Sequence, residues 1–213
     1  MHKLVRLQAP SCLKRYKHGR DRWSLVTDSD KAEIWQQLHA MQQHRCAYCE
    51  AMIDSTPGQG NAHIEHFRQR DRYPQGTYDW SNIFGSCNRK KSCGKYKDDQ
   101  RYQPEHLLKM DQDDPEAFLR FISDGSVYPR EALSAHSRHR AEETIRVFNL
   151  NNGSLRQSRS SHLKGYRQTA EELAELALQL ELEDWLELLN DELEEVAGLP
   201  FETAIRHLLQ FNI

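Results

Sequence analysis

Four of the five cysteines form two pairs whose spacing could hold a metal ion. Cys46 and Cys49 have two residues between them, the usual spacing of two zinc ligands on one tight turn. Cys87 and Cys93 follow later in the chain and could complete a tetrahedral set. Four thiolates leave no open position for water, so this zinc would be structural. Cys12 stands apart, and the alternative for the pairs is a set of isolated core residues.

Between the pairs, an acidic residue and a histidine are adjacent. In His63–Phe67, the Glu65 carboxylate could hold a divalent cation while the His66 imidazole takes a proton from water as general base. His63 would share a strand face with Glu65 and is a further candidate ligand, with packing or substrate contact as the alternative. Asn82 could order a loop or orient the base through its amide. These residues together favour a hydrolytic site over a structural histidine.

The charges of the chain favour a polyanionic ligand at its front half. Residues 1–110 carry 19 Lys/Arg against 12 Asp/Glu, a net +7, whereas residues 169–213 carry 1 against 12, a net −11. Phosphate neutralisation supplies most of the sequence-independent affinity for nucleic acid, and DNA and RNA satisfy it equally. The acidic end is either a partner surface or a solvated helix face. Four lysines near the second cysteine pair could meet phosphates: Lys90, Lys91, Lys95 and Lys97.

Short elements would position these residues. We expect residues 1–28, which mix basic and aromatic residues without a period, to form an extended arm. Apolar residues at helical spacing predict an amphipathic helix over 31–43, with Asp30 and Glu33 as a capping box at its start. The site elements predicted after the turn-rich loop 54–61 are strands over 62–67 and near 83–84 and a short helix within 88–99.

Downstream of Pro115 the pattern predicts helices. Apolar residues over 117–122 predict a helix ended by Asp124 and Gly125, and another helix covers about 134–148. From Leu155 onward the chain is almost wholly helical, with a leucine stripe set among glutamates. The sequence therefore predicts an α+β protein with a small zinc-braced core inside a mainly helical chain. The expected regions are an N-terminal arm and helix over 1–45, the core over 46–110, and a helical C-terminal region over 111–213.

The composition excludes membrane proteins and gives no sign of export. Charged residues make up 29% and hydrophobic residues 38%, the balance of a globular protein. No segment approaches the ~20 apolar residues of a membrane helix, and the basic N-terminus lacks the apolar stretch of a secretory signal. We therefore expect a cytoplasmic protein. A redox role for Cys46 and Cys49 is disfavoured because no thioredoxin-like βαβ pattern surrounds them.

Three motifs carry a resemblance to a known family. The segments 46–50, 63–67 and 80–84, followed by Cys87, resemble the HNH endonuclease superfamily of zinc-containing ββα-metal nucleases. More narrowly, the chain is similar to the HNH proteins of Septu anti-phage defence systems and of some retron operons. That narrower resemblance covers residues 1 to about 160, and its most specific part is 46–97.

The resemblance implies a role for each site residue. Glu65 would bind the catalytic divalent ion, Mg²⁺ or another cation, and His66 would activate water. Asn82 would order the loop and aim His66, and the two cysteine pairs would hold the structural zinc. Asn88 would be the third ligand of the catalytic ion, with Asp98 as the alternative, because the end of the motif departs from the usual pattern.

The same resemblance implies a protein partner, an ABC/SMC-like ATPase, which the C-terminal helices could contact. The expected activity is hydrolysis of phosphodiester bonds in DNA or RNA. The alternative is a non-catalytic zinc-containing module that binds nucleic acid or acts as an adaptor. Glu65 and His66 argue against this alternative, since a structural zinc knuckle needs neither residue.

Overall fold

The computed structural model describes residues 1–211 and confirms the α+β class. Its described part contains two antiparallel sheets of two strands each, surrounded by helices. The helices are α1 Asp28–Gln42, α2 Cys93–Asp98, α3 Ala135–Val147, α4 Gly153–Leu163, α5 Arg167–Leu176, α6 Leu182–Glu195 and α7 Glu202–Phe211. The strands are β1 Ala62–His66, β2 Ile83–Cys87, β3 Leu119–Phe121 and β4 Val127–Pro129.

The first sheet carries the residues of the predicted site. β1 and β2 pair antiparallel, with Glu65 opposite Phe84 and His66 opposite Ile83. α2 follows β2 and packs against it, while α1 packs on the same strand. The strands predicted over 62–67 and near 83–84 and the helix predicted within 88–99 are thus confirmed. Together β1, β2 and α2 form a ββα unit.

α1 begins earlier than the sequence pattern predicts. Thr27 is its N-cap, and the Thr27 side chain accepts a hydrogen bond from the Asp30 backbone N–H at 3.2 Å. Asp30, predicted to start the helix, instead accepts hydrogen bonds from the side chains of Tyr16 and Arg15. The capping-box prediction was therefore wrong, because the acidic side chain serves the preceding segment.

Residues 1–13 pack on the core, so the prediction of an extended arm was wrong for this part of the segment 1–28. Met1 and Leu4 are almost fully buried, as is Cys12. Arg6 donates hydrogen bonds to the carbonyls of Trp80 at 2.7 Å and Ile83 at 2.8 Å, next to the start of β2. This segment therefore closes over the first sheet.

The prediction of a helix over 117–122 was also wrong. These residues enter β3, in which Leu119 and Phe121 are buried and Arg120 is exposed. β3 pairs with β4, and His207 of α7 accepts a hydrogen bond from the Phe121 N–H at 3.0 Å. The burial alternates with a period of two, as in a half-buried strand.

The C-terminal helices are confirmed and join the same core. α3 matches the helix predicted over 134–148, and α4, α5 and α6 pack against or beside α7. The leucine stripe divides: Trp185 and Leu189 are buried, whereas Leu180 and Leu188 are 37% and 40% exposed. The buried apolar residues form one cluster from Met1 to Leu209. None of the helices described over 1–211 has the length and apolar character needed to cross a membrane.

Candidate functional site

The structure brings the four paired cysteines together. Cys46 and Cys49 lie on the turn after α1, Cys87 ends β2, and Cys93 begins α2. All four are buried, and their Sγ atoms lie within 4.8 Å of one another. The separation between Cys49 Sγ and Cys87 Sγ is 3.9 Å. A disulfide would need about 2.05 Å.

The donor set fits a tetrahedral thiophilic ion. Ligands bound at the ~2.3 Å typical of zinc–sulfur bonds stand about 3.8 Å apart in a tetrahedron, close to the observed spacing. Burial would raise the pKa of the Cys46 thiol, but hydrogen bonds from the thiols of Cys49 and Cys87 bring it well below its usual range. The cluster therefore favours a thiolate, and the four sulfur atoms could hold a metal ion.

The C-terminal region fixes the backbone around this cluster. The Cys93 N–H donates to the Phe148 carbonyl at 2.8 Å, where Cys93 has a φ of +59°. Glu50, which follows Cys49, accepts a hydrogen bond from the Thr203 hydroxyl of α7 at 2.5 Å. Both cysteine pairs are therefore held by residues far along the chain.

His66 ends β1 with its ring in one tautomer. Its Nε2 lies 3.0 Å from the Thr77 carbonyl oxygen, which only accepts hydrogen bonds, so Nε2 carries the proton and Nδ1 keeps a lone pair. Burial, together with the charge of Arg70, lowers the pKa of His66 to about 4. The Trp23 ring meets it edge-on at a centroid distance of 4.6 Å. The arrangement can supply a neutral proton acceptor.

Asn82 clamps the loop that leads to Thr77. Its Oδ1 accepts from the Arg68 N–H at 2.7 Å, and its Nδ2 donates to the carbonyls of Arg68 and Gly76, both at 3.1 Å. Asn82 is 3% exposed, so these bonds are shielded from water. The loop is thereby held close to the residue whose carbonyl meets His66.

Glu65 is a buried carboxylate between two nitrogen atoms. Its Oε1 lies 2.6 Å from Lys97 Nζ, and its Oε2 lies 3.0 Å from His63 Nε2. Burial would raise the pKa of Glu65, but the charge of Lys97 and the hydrogen bond with His63 lower it overall. Glu65 is therefore ionised. Lys97 has no exposed side chain, which differs from its expected position among the phosphate-facing lysines.

In its neutral form, the His63 ring places two acceptor atoms opposite each other beside Glu65. Asn88 Nδ2 donates to the Ala62 carbonyl at 3.1 Å, which turns its Oδ1 toward His63 Nδ1 at 3.0 Å. Nδ1 therefore carries a proton, and Nε2 in the neutral ring directs a lone pair at the Glu65 carboxylate. Two acceptors 3.0 Å apart need a proton or a cation between them.

A glycine makes room beside this pair. A Cβ on Gly94, at the start of α2, would lie 2.5 Å from Glu65 Oε2 and 3.0 Å from His63 Nε2. The α2 backbone therefore lies so close to the two acceptors that a side chain at this position would displace them. Of the two predicted third ligands, Asn88 contacts the far nitrogen of His63, and Asp98 lies 2.9 Å from Lys97 Nζ.

His63, Glu65 and His66 line one cleft with a volume of about 400 Å³. Three cationic side chains border it, Arg70, Arg72 and Lys95. Sequence reasoning missed the two arginines, although the basic run at 68–72 directly after β1 was a usable signal. The remaining predicted lysines, Lys90 and Lys91, are exposed outside this lining. The cleft-lining residues are His63, Ile64, Glu65, His66, Gln69, Arg70, Asp71, Arg72, Lys95 and Asp98.

One known protein is similar to this chain. It is the Septu protein PtuB of Bacillus thuringiensis, 23% identical over 174 residues, which cover 70% of this chain. The match spans 63% of PtuB, slightly less than two thirds of its length. No protein-family model matches the chain. The similarity supports a link to Septu systems, in agreement with the motifs.

Proposed function

We propose that the chain is a metal-dependent, HNH-type endonuclease that hydrolyses phosphodiester bonds of nucleic acid. The observation that carries the proposal is the shared lining of one cleft. A neutral histidine with a fixed accepting nitrogen lies there beside a carboxylate–imidazole pair that could bind a cation, together with three cationic side chains. Such an assembly suits hydrolysis of a phosphate ester.

Two metal sites follow from the donor sets. The four paired cysteines would hold a structural zinc. Glu65 and His63 would bind the catalytic divalent ion, Mg²⁺ or another cation, and Asn88 would orient His63 from its far nitrogen. Asp98 lines the same cleft and offers a further oxygen. When bound, the catalytic ion supplies positive charge to the scissile phosphate and the leaving oxygen.

The chain's own side chains would prepare water and substrate. His66 Nδ1 takes a proton from water, since its pKa of about 4 keeps the ring neutral near physiological pH. The Thr77 carbonyl then stabilises the charged ring through the Nε2–H bond. Arg70, Arg72 and Lys95 hold phosphate oxygens through charge-assisted hydrogen bonds.

We further propose a role in anti-phage defence with an ABC/SMC-like ATPase. The similarity to the Septu protein PtuB supports the defence role. The partner surface would lie on α6 and the turn that precedes it, where leucines stand exposed among glutamates: Leu178, Leu180, Leu182, Leu186 and Leu188. This surface would be repelled by nucleic acid, so it suits a protein partner.

The test is divalent-ion-dependent cleavage of plasmid DNA and total RNA, by the chain alone and with the neighbouring ATPase. His66→Ala should abolish cutting while zinc content and fold stay unchanged. His136→Ala is the matched control, since His136 is an exposed histidine on α3. Cutting by His66→Ala at the wild-type rate would remove His66 as the base. No cutting by any sample would favour the non-catalytic zinc module.

A further inference from the structure

A second concavity adjoins the catalytic cleft. This groove has a volume of about 830 Å³ and lies between α1, the loop 55–60 and β1. Its volume falls in the range of roughly 300–1,000 Å³ common for small-ligand sites. The two concavities share His63 and Ile64 in their walls, so they are adjacent.

The walls of the groove are aromatic and carry little net charge. Trp23 and Trp35 both line it and are partly exposed. The ring of His39 stacks on Trp35 at a centroid distance of 5.1 Å. The charged lining residues Asp28 and Lys31 pair with each other at 3.1 Å. The groove therefore suits a flat, uncharged aromatic group, whereas the cleft beside it suits phosphate.

Trp23 joins the two environments. The centroid of its ring lies 4.6 Å from the centroid of the His66 ring and 5.8 Å from the guanidinium carbon of Arg70. The same indole also lines the groove. A phosphate held near Arg70 would thus have its own or a neighbouring base within reach of the groove.

We propose that this groove binds an unpaired nucleobase flanking the scissile phosphate, with Trp35 as a stacking surface. The proposal rests on the proposed nuclease function and narrows its substrate class. A base inside a duplex stacks on its neighbours and hides its face, whereas an unpaired or extruded base exposes it. The preferred substrate is therefore a single strand or a duplex with an unpaired nucleotide.

The experiment measures binding by the full chain carrying His66→Ala, so that cutting does not interfere. The probes are a labelled single strand, the same strand in a duplex, and a series of the strand with one abasic site each. Base–aromatic stacking is worth roughly 5- to 150-fold in affinity. The single strand should bind more tightly than the duplex by a factor in this range, and one abasic position should remove most of the difference.

Trp35→Leu should weaken binding of the intact strand by the same factor and leave the critical abasic strand unaffected. Trp35→Phe should retain part of the affinity, because it keeps a ring. Tyr128→Leu is the matched control, since Tyr128 is an aromatic residue on β4 that is 51% exposed outside the groove. If the Trp35 variants do not fold, the abasic series on the unchanged groove still decides.

The outcomes separate the two proposals. Equal binding of all strands, or no binding of any, would overturn the base site. If Trp35→Leu weakened binding of the ATPase partner but not of the strands, the groove would be a protein-docking site, and the base-site proposal would be overturned as well. Wild-type cutting that ignores abasic sites would sustain the nuclease and refute the groove. Abasic-sensitive binding without cutting by the wild type would sustain the groove and refute the nuclease.

Discussion

Gly94→Ala should disable the proposed catalytic metal site while sparing the cysteine cluster. The added Cβ would lie 2.5 Å from Glu65 Oε2, whereas ordinary contact begins at 3.4 Å. The carboxylate must therefore move by about 0.9 Å to reach ordinary contact. A misplacement of about 1 Å in a catalytic constellation costs on the order of 100-fold in rate.

The same substitution should change stability little. Relief of an overpacked contact costs about 1–3 kcal/mol. Alanine gains about 1 kcal/mol over glycine inside a helix, and Gly94 belongs to α2 and has no left-handed φ. The free energy of unfolding should therefore fall by about 0–2 kcal/mol. Gly153→Ala is the matched control, because a Cβ at Gly153 would meet nothing within 4 Å.

The assay combines cleavage rate, divalent-ion titration by calorimetry, and zinc content. We expect Gly94→Ala to retain zinc, bind the second ion weakly and cut about 100-fold more slowly. Adding Glu65→Asp, which shortens the carboxylate by one methylene, should restore part of the ion binding. Wild-type ion affinity and rate in Gly94→Ala would refute the assignment of Glu65 and His63 as the catalytic ligands.

Three further predictions test the structure at other positions. Cys49→Ser should lose zinc and lower the melting temperature, whereas Cys12→Ser, outside the cluster, should keep the metal. Equal zinc content in the two variants would contradict the assignment of the cysteine cluster as the zinc site. Asn82→Asp keeps the acceptor but loses two buried donor bonds, so the free energy of unfolding should fall by about 2–4 kcal/mol and cutting should become slower. The control is Asn61→Asp at an exposed position, which should change neither quantity. Equal losses of stability and activity in the two variants would refute the clamp. Burial, with the charge of Arg130, lowers the pKa of His207 in the folded chain to about 3. In the unfolded chain the pKa of a histidine is about 6.5, so below this pH the unfolded chain alone takes the proton. Stability should fall by up to about 1.4 kcal/mol per pH unit between pH 6.5 and 3, and His207→Asn should flatten that slope in urea titrations; an unchanged slope would refute the buried neutral ring.

The sequence was sufficient where the chemistry constrains the geometry. Cysteines that share one ion must meet, so Cys46 and Cys93 were predicted to be neighbours despite the distance between them along the chain. The β1–β2–α2 order also followed from local patterns. The failures occurred where two periodicities were compatible with one segment. Residues 117–122 place apolar side chains at helical spacing, yet their burial alternates as in a strand, because β4 and α7 cover one face.

Burial also divided residues that look alike in the sequence. Lys95 and Lys97 are two positions apart in α2, yet Lys95 borders the open cleft and Lys97 is buried against Glu65. The cause is tertiary: the short helix turns one side toward the β1–β2 sheet, where an ionised carboxylate requires a counter-charge. No count of basic residues separates these two roles. The arginines at 70 and 72 show the converse, since they reach the cleft from a loop that Asn82 holds at Arg68 and Gly76. The cationic surface of the site therefore depends on an amide clamp and a buried ion pair as much as on the number of its charges.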